Sequence, residues 1–134
     1  STTIKKNIIL ILLIILNISC SGSKGGDWDD NIKLSQKELQ FDSLENSAII
    51  KTGGDSWWIS GIFFKDGQTF DLSNVDTTAN NFTVTESEFI LERKNGKEIA
   101  IKLFKNTTGF QRILAVGLQA GNYFDGITIT QSTD

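Results

Sequence analysis

The stretch that decides the fold is FILERKNGKEIAIKL, residues 89–103. Apolar side chains occupy every second position from Ile99 to Leu103, after a central Asn95-Gly96 pair. Because successive residues of a strand point to opposite faces, this alternation predicts a β-strand that is buried on one side. Asn and Gly both tolerate the positive φ angles of a two-residue type I′ turn, so the whole stretch predicts a β-hairpin.

The same alternation continues in both directions, and no helical apolar period lasts for more than one turn. Its phase slips between Leu34 and Leu39, which predicts a bulge or bend near Gln36. Residues 65–81 are rich in Asp, Asn, Thr and Gly and predict a loose hairpin or long loop. About seven short strands separated by turn signals predict an all-β sandwich.

The beginning of the chain predicts a membrane anchor. Two lysines precede an apolar run from Ile8 to Leu16, and the one cysteine, Cys20, follows a small residue. The run reaches about 14 Å as a helix, short of a hydrocarbon core of about 30 Å. We interpret residues 1–19 as a signal peptide and Cys20 as a lipidated N-terminus that holds the protein on a membrane. The alternatives are an ordinary secretory signal with an incidental cysteine and a buried structural thiol.

Residues 20–31 continue from Cys20 with small, polar and acidic side chains, and we expect a flexible tether. Within it, Trp28 is surrounded by Asp27, Asp29 and Asp30. This group fits either a solvated linker whose tryptophan docks on the domain or a signal for export to the cell surface.

The composition argues against several functions. The chain has 13 Lys and Arg against 16 Asp and Glu, a net charge of −3, and no basic cluster that would bind nucleic acid. It has no histidine, hence no Ser-His-Asp unit and no ordinary zinc site, and it lacks a Gly-rich phosphate-binding loop. We therefore expect no metal, no cofactor and no nucleic-acid partner.

An ordered set of positions in the last third of the chain belongs to a known pattern: Ile99, Ile101, Leu103, Asn106, Gly109, Arg112, Leu114, Val116, Leu118, Ile127, Ile129 and Gln131. The front half adds IKLS at 32–35, LQF at 39–41 and SWWI at 56–59. With these residues the chain resembles the BACON domain, the Bacteroidetes-associated carbohydrate-binding, often N-terminal module. The resemblance implies an immunoglobulin-like antiparallel β-sandwich, over residues 32–134. It also implies a Bacteroidetes source, a glycan as the ligand, and a domain that is part of a lipoprotein or lies next to glycan-degrading enzymes. The acids after Cys20 then fit a signal for display on the outer face of the outer membrane.

Two adjacent tryptophans must point to opposite faces of their strand. We place Trp57 in the core, where burial of about 200 Å² contributes about 5 kcal/mol before entropy is counted. Trp58 is then expected on the surface near Lys102 or Phe104, suited to stack on a sugar ring or to anchor a protein. Alternatively, residues 65–81 or the tether cover it.

Loop aromatics and a turn motif complete the candidate residues. Phe110 and the pair Tyr123-Phe124 either extend an aromatic ligand surface or fold back as plugs. Asn106 and Gly109 predict an Asx-type turn, in which the asparagine side chain bonds the backbone ahead and the glycine supplies an unusual φ. We expect the Arg112 guanidinium to cap the sandwich edge on carbonyls or an acid, with ligand binding as the alternative.

Three functions follow from these residues: a membrane-anchored glycan-binding module, a structural or protein-interaction lipoprotein within a surface complex, and a small hydrolase. Glu86 and Glu88 would lie about 7 Å apart on one strand face. A retaining glycosidase needs about 5 Å between its carboxylates and an enclosing cleft. We therefore expect no enzyme, and we expect glycan binding ahead of a protein partner.

Overall fold

The computed structural model describes residues 29–134, which form eight strands and no helix. The strands are β1 (Glu38–Phe41), β2 (Asn46–Lys51), β3 (Trp58–Phe64), β4 (Phe82–Thr85), β5 (Phe89–Lys94), β6 (Glu98–Leu103), β7 (Arg112–Ala120) and β8 (Tyr123–Gln131). The first sheet has the strand order β1-β8-β7-β3, and the second has the order β2-β6-β5-β4. The two sheets confirm the predicted sandwich, with eight strands where about seven were expected.

The β5–β6 hairpin lies at the centre of the second sheet. Lys94 pairs with Glu98, so Asn95, Gly96 and Lys97 connect the two strands. Asn95 and Gly96 have positive φ angles of 52° and 76°, and the predicted hairpin is confirmed, with a connection of three residues where two were expected. Leu91 lies opposite Ile101, and both side chains face the first sheet. Fully buried apolar side chains from both sheets form the core, among them Ile50, Phe89, Ile99, Leu103, Leu114 and Leu118.

The chain changes sheets where the phase of the alternation slips. Leu34 forms an isolated bridge to Thr52, at the end of the second sheet, whereas Leu39 of β1 pairs with Ile129 of the first sheet. The bend predicted near Gln36 is therefore the crossover between the sheets. Since β1 arrives from the other sheet and not through a hairpin, nothing forces it to run antiparallel, and it pairs with β8 in parallel.

The long connection between β3 and β4 closes one side of the sandwich. These two strands are edges of different sheets, so the space between the sheets opens between them. Phe70, Leu72 and Val75 of the connection pack against the core. Phe70 meets Phe64 and Phe89 edge to face, with ring centroids 5.7 and 4.9 Å apart. The segment predicted as a loose loop thus contributes apolar packing.

Arg93 of β5 is fully buried. Among residues 29–134, no other charged side chain is buried. Its guanidinium carbon lies 3.5 Å from the centroid of the Trp57 ring. The guanidinium also donates hydrogen bonds of 2.7 to 3.2 Å to the carbonyl oxygens of Asp55, Trp57, Ala79 and Gly96. These bonds replace the water lost on burial, and they join three separate segments of the chain.

The predicted signal peptide, the Cys20 anchor and most of the predicted tether lie outside the described residues. Across residues 29–134, no helix is both long and apolar enough to cross a membrane. The described part begins with a capped turn, because the Asp30 carboxylate accepts hydrogen bonds from the amides of Ile32 and Lys33 at 3.0 and 2.8 Å.

Replacement of Arg93 by methionine tests its structural role. Methionine keeps part of the side chain's length but removes every donor, which leaves the carbonyls around Trp57 without a partner. We expect Arg93→Met to lower the free energy of unfolding by about 3 kcal/mol, measured by urea denaturation with tryptophan fluorescence.

The neighbouring Lys94 provides the control. Its ammonium group lies 3.8 Å from the Glu92 carboxylate, and both side chains are well exposed. Lys94→Ala should therefore change the stability by less than about 0.5 kcal/mol. An Arg93→Met protein as stable as the unsubstituted protein would contradict the structural role.

Candidate functional site

The two adjacent tryptophans point in opposite directions. Trp57 is 2% exposed, and its indole Nε1 donates to the Thr52 hydroxyl and the Gly54 carbonyl, both at 3.1 Å. Trp58 begins β3 on the outer side of the first sheet, where it lies opposite Gln119 of β7 and is half-buried. One tryptophan therefore belongs to the core and the other to the outer face of the first sheet.

An extra residue in β3 brings a second aromatic side chain to that outer face. The register with β7 shifts between Ile59 and Gly61, which makes Ser60 the extra residue of a β-bulge. Phe63 follows Trp58 at an odd spacing, which in a regular strand would place it on the inner face. Because of the bulge it faces outward, with 40% of its surface exposed.

Phe124 of β8 adds a third aromatic side chain, 64% exposed. It lies opposite Gln119, which lies opposite Trp58, so these residues form a row across β8, β7 and β3. Two strand spacings, about 10 Å, separate Phe124 from Trp58. We call the outer surface of these three strands, which carries Trp58, Phe63 and Phe124, the aromatic face.

Tyr123, the candidate named from the sequence, is not part of the aromatic face. It packs against the core, and its hydroxyl donates to the Asp125 carboxylate at 3.3 Å. Burial and that carboxylate raise the pKa of Tyr123. Neighbours in a strand face opposite ways, so of the predicted Tyr123-Phe124 pair only Phe124 takes the outward position in β8.

Three glycines form the floor of the aromatic face. Gly61, Gly117 and Gly126 lie opposite one another on β3, β7 and β8. A Cβ atom at Gly117 would come within 2.8 Å of the Ser60 hydroxyl, and one at Gly126 within 3.2 Å of the Val116 carbonyl oxygen. A Cβ atom at Gly61 would meet nothing within 4 Å. The missing side chains leave a shallow trench across the strands, with aromatic side chains on both sides.

The aromatic face carries no formal charge on the three strands that form it. Besides the aromatic side chains and the glycines, its outward residues are Ser60, Ile113, Ala115, Gln119, Thr128 and Thr130. Charged residues make up 22% of the chain, so their absence from the outward positions of β3, β7 and β8 is informative. The neighbouring edge strand β1 carries the exposed Glu38, opposite Thr128. The face offers hydroxyls and one amide as polar groups, beside rings and bare backbone.

The prediction that Trp58 lies near Lys102 or Phe104 is wrong. Lys102 is in β6 of the second sheet and Phe104 follows that strand, whereas Trp58 is in the first sheet. The alternation within a strand shows which residues share a face, but it does not show which sheet the strand joins.

Phe104 and Phe110 instead line a groove of about 560 Å³ at one end of the sandwich. Phe110 is 76% exposed, so it does not fold back as a plug. The charged side chains in the groove are Asp66, Glu88, Lys105 and Arg112. We call this site the end groove.

The turn that carries Phe110 has the predicted chemistry. Asn106 accepts a hydrogen bond from the Thr108 amide at 3.0 Å, and Gly109 has a φ of 83°. The Asn106 side chain also donates to the carbonyls of Phe110 and Ser132, at 2.7 and 3.1 Å. The buried asparagine thereby holds the turn against the end of the chain.

Arg112 caps the edge of the sandwich. Its Nε donates to the Gln131 side-chain oxygen at 2.7 Å and its Nη2 to the Phe104 carbonyl at 2.8 Å. The guanidinium carbon lies 5.2 Å from the centroid of the Phe64 ring. Burial lowers the pKa of Arg112 and the nearby Glu88 carboxylate opposes that shift, so the guanidinium stays charged at neutral pH.

The predicted placement of Glu86 and Glu88 on one strand face is wrong. Glu86 and Glu88 lie in the turn between β4 and β5 and do not share a strand face. Within residues 29–134, no three His, Cys, Asp or Glu side chains stand close enough together to hold a metal ion.

No protein family model and no curated protein matches the chain. Among solved structures, it is similar to a protein from Bacteroides thetaiotaomicron determined by NMR. The identity is 21% over 84% of this chain and 95% of that one, with a TM-score of 0.62. It is also similar to part of a Bacteroides ovatus GH5 xyloglucanase in complex with a XXXG heptasaccharide, with 19% identity and a TM-score of 0.50. That match covers 77% of this chain and 19% of the enzyme. These similarities show the fold, and the first fits the predicted Bacteroidetes source.

Replacement of Asn106 by aspartate tests the turn. Aspartate keeps the acceptor for the Thr108 amide but removes both donors to the carbonyls of Phe110 and Ser132. Since Asn106 is 2% exposed, we expect the free energy of unfolding to fall by about 2 kcal/mol in urea denaturation. The exposed neighbour serves as control, and Thr107→Ala should stay within about 0.5 kcal/mol. No loss of stability in Asn106→Asp would disprove this account.

Proposed function

We propose that the protein is a non-catalytic, lipid-anchored module that binds an uncharged glycan on the aromatic face. The observation that carries the proposal is the combination of outward aromatic side chains, a glycine floor and the absence of formal charge. Sugar rings have apolar C–H faces and a rim of hydroxyls, so they pack on aromatic rings and bond uncharged polar groups. The aromatic face offers both kinds of contact.

The polar groups stand where hydroxyls of a bound sugar would reach them. Gln119 lies between Trp58 and Phe124, and its amide nitrogen donates to the Gly121 carbonyl at 3.0 Å. This bond orients the amide and leaves its oxygen as an acceptor. The Ser60 hydroxyl lies over the floor and can donate or accept.

The aromatic face is built on strands, so a ligand would not have to order it. Binding costs free energy for every loop and side chain that becomes fixed. Aromatic side chains have only two rotatable bonds, and those on regular strands lose little freedom. A flat and preformed surface of this kind suits an extended glycan that lies across the strands.

The location of the protein belongs to the same proposal. The resemblance to the BACON domain and the predicted lipidation of Cys20 support a lipoprotein on the outer face of the outer membrane. A similar fold makes up 19% of a xyloglucanase chain. This supports a role connected with glycan degradation.

Titration of the protein against a panel of neutral oligosaccharides tests the proposal. We expect one of them to bind, and Trp58→Ala to raise its Kd tenfold or more, because a tryptophan that anchors a ligand contributes at least about 1.4 kcal/mol. Gly61→Val should weaken binding to a similar extent. Its side chain would fill the trench without a clash, because a Cβ atom there meets nothing within 4 Å.

Leu44→Ala is the matched control, since Leu44 is a 56% exposed apolar residue away from the aromatic face. It should leave the Kd unchanged, and all three variants should keep the urea midpoint of the unsubstituted protein. Binding that is indifferent to both Trp58→Ala and Gly61→Val would refute the proposed site.

A protein partner is the second candidate, and the outer face of the second sheet favours it. Ile49 is 57% exposed, and with Ile90 and Ala100 it lines a depression of about 560 Å³. Lys102 and Glu92 lie at the same depression with opposite charges. An apolar centre with a charged rim is the usual anatomy of a protein interface.

If this second function holds, a protein that co-purifies with the chain should be lost in Ile49→Asp, because a carboxylate would then sit in the apolar centre. The same protein should remain with Thr83→Ala, an exposed position of β4 outside the depression. Quantitative pull-down measures both. Retention of the partner in Ile49→Asp would exclude this surface as its binding site.

A further inference from the structure

We propose that the end groove is a second and independent binding site, which takes the terminal ring of a neutral sugar with two adjacent hydroxyls. The groove and the Trp58 row lie at opposite ends of β7, since Arg112 begins this strand and Gln119 stands near its end. Seven strand residues span about 24 Å, so one sugar ring cannot contact both places. The inference therefore does not rest on the aromatic face.

Two opposite charges line the end groove without touching. Within the described residues, Arg112 and Glu88 form no ion pair, although each is close enough to affect the pKa of the other. The Nε and Nη2 atoms of Arg112 are already hydrogen-bonded, whereas Nη1 has no partner among residues 29–134. The Glu88 oxygens accept hydrogen bonds from the Gln68 amide at 3.0 Å and the Ser87 hydroxyl at 2.8 Å, so the carboxylate is held in place.

A pair of adjacent hydroxyls has one acceptor and one donor to offer to these two charged groups. One hydroxyl oxygen accepts a hydrogen bond from Nη1 of Arg112, and the neighbouring hydroxyl donates to a remaining lone pair of Glu88. Hydrogen bonds to ionised groups are about twice as strong as those between neutral groups. The guanidinium and the carboxylate are both fixed in advance, so the ligand would not have to order them.

The balance of charges in the groove favours a neutral ligand. A carboxylate ligand would be attracted by Arg112 and Lys105 but repelled by Glu88 and Asp66. A protonated amine would be attracted by the two carboxylates and repelled by the two cations. Lys105 is also engaged elsewhere, with its ammonium 3.8 Å from the Asp134 carboxylate. A neutral sugar uses the charged donor and the charged acceptor without this conflict.

The remaining walls and the size of the groove agree with a sugar ring. Phe110 is 76% exposed and Phe104 is half-buried, and both supply apolar surface for the C–H face of a ring. The groove volume of about 560 Å³ falls within the range of small-ligand sites, about 300–1,000 Å³.

Saturation-transfer NMR on the full chain, held in a detergent without a sugar head group, tests the inference. The probes are the methyl glycosides of glucose, galactose and mannose, which resemble chain ends, and methyl glucuronide as the charged counterpart. We expect at least one neutral probe to bind with a millimolar Kd and methyl glucuronide to bind at least fivefold more weakly. Phe110→Ala and Glu88→Gln should each raise the Kd of the neutral probe at least fivefold, while Leu44→Ala leaves it unchanged.

Several results would overturn the inference. These are the absence of saturation transfer to any neutral probe up to its solubility limit, equal affinity for the glucuronide, and binding unaffected by both Phe110→Ala and Glu88→Gln. Loss of the signal in Trp58→Ala but not in Phe110→Ala would move the site to the aromatic face. The oligosaccharide titrations test the effect of Trp58→Ala, and these measurements test the effect of Phe110→Ala. The failure of one proposal can therefore be distinguished from the failure of the other. The urea midpoints of Phe110→Ala and Glu88→Gln confirm that both variants fold.

Discussion

The structure depends on the stacking of the Arg93 guanidinium on the Trp57 indole, at 3.5 Å from the ring centroid. Burial of a cation without a carboxylate partner is costly, and here four carbonyl oxygens and the ring face offset that cost. The carbonyls belong to the segment before β3, the β3–β4 connection and the β5–β6 turn, so Arg93 fixes these segments against one another. It also fixes which tryptophan lies inside. The outward position of Trp58 follows from this.

The bulge at Ser60 then determines the composition of the aromatic face. It restores the outward phase for Phe63, and it places a hydroxyl over the opposite strand. The opposite strand must leave room for that hydroxyl, and it does so with Gly117, where a Cβ atom would lie 2.8 Å from the serine oxygen. Gly117 in the floor and the outward position of Phe63 are therefore consequences of the same irregularity. In a regular β3, Phe63 would face the core.

The fold could be predicted where local chemistry determines it. The Asn95-Gly96 turn and the two-residue alternation are of this kind, and so is the phase slip near Gln36, although its meaning as a sheet crossover needed the structure. The burial of Arg93 was not predicted, because a charged residue is normally exposed. The sequence indicates it only through the alternation, since Arg93 stands two positions after the buried Leu91 of β5. The outward position of Phe63 and the distance between Phe104 and Trp58 depend on a bulge and on strand pairing, which the alternation does not encode.

The two proposed binding sites differ in their exposure to water and in the polar groups that they offer. The aromatic face is open to water, whereas proton transfer and nucleophilic attack benefit from a site that excludes it. In the end groove, the hydrogen bond from Gln68, followed by that from Ser87, lowers the pKa of Glu88 despite its partial burial. An ionised carboxylate accepts hydrogen bonds well. The hydrogen bonds from Gln68 and Ser87 hold the Glu88 carboxylate in place as an acceptor, and together with the permanent charge of Arg112 this fits the proposed recognition of hydroxyls.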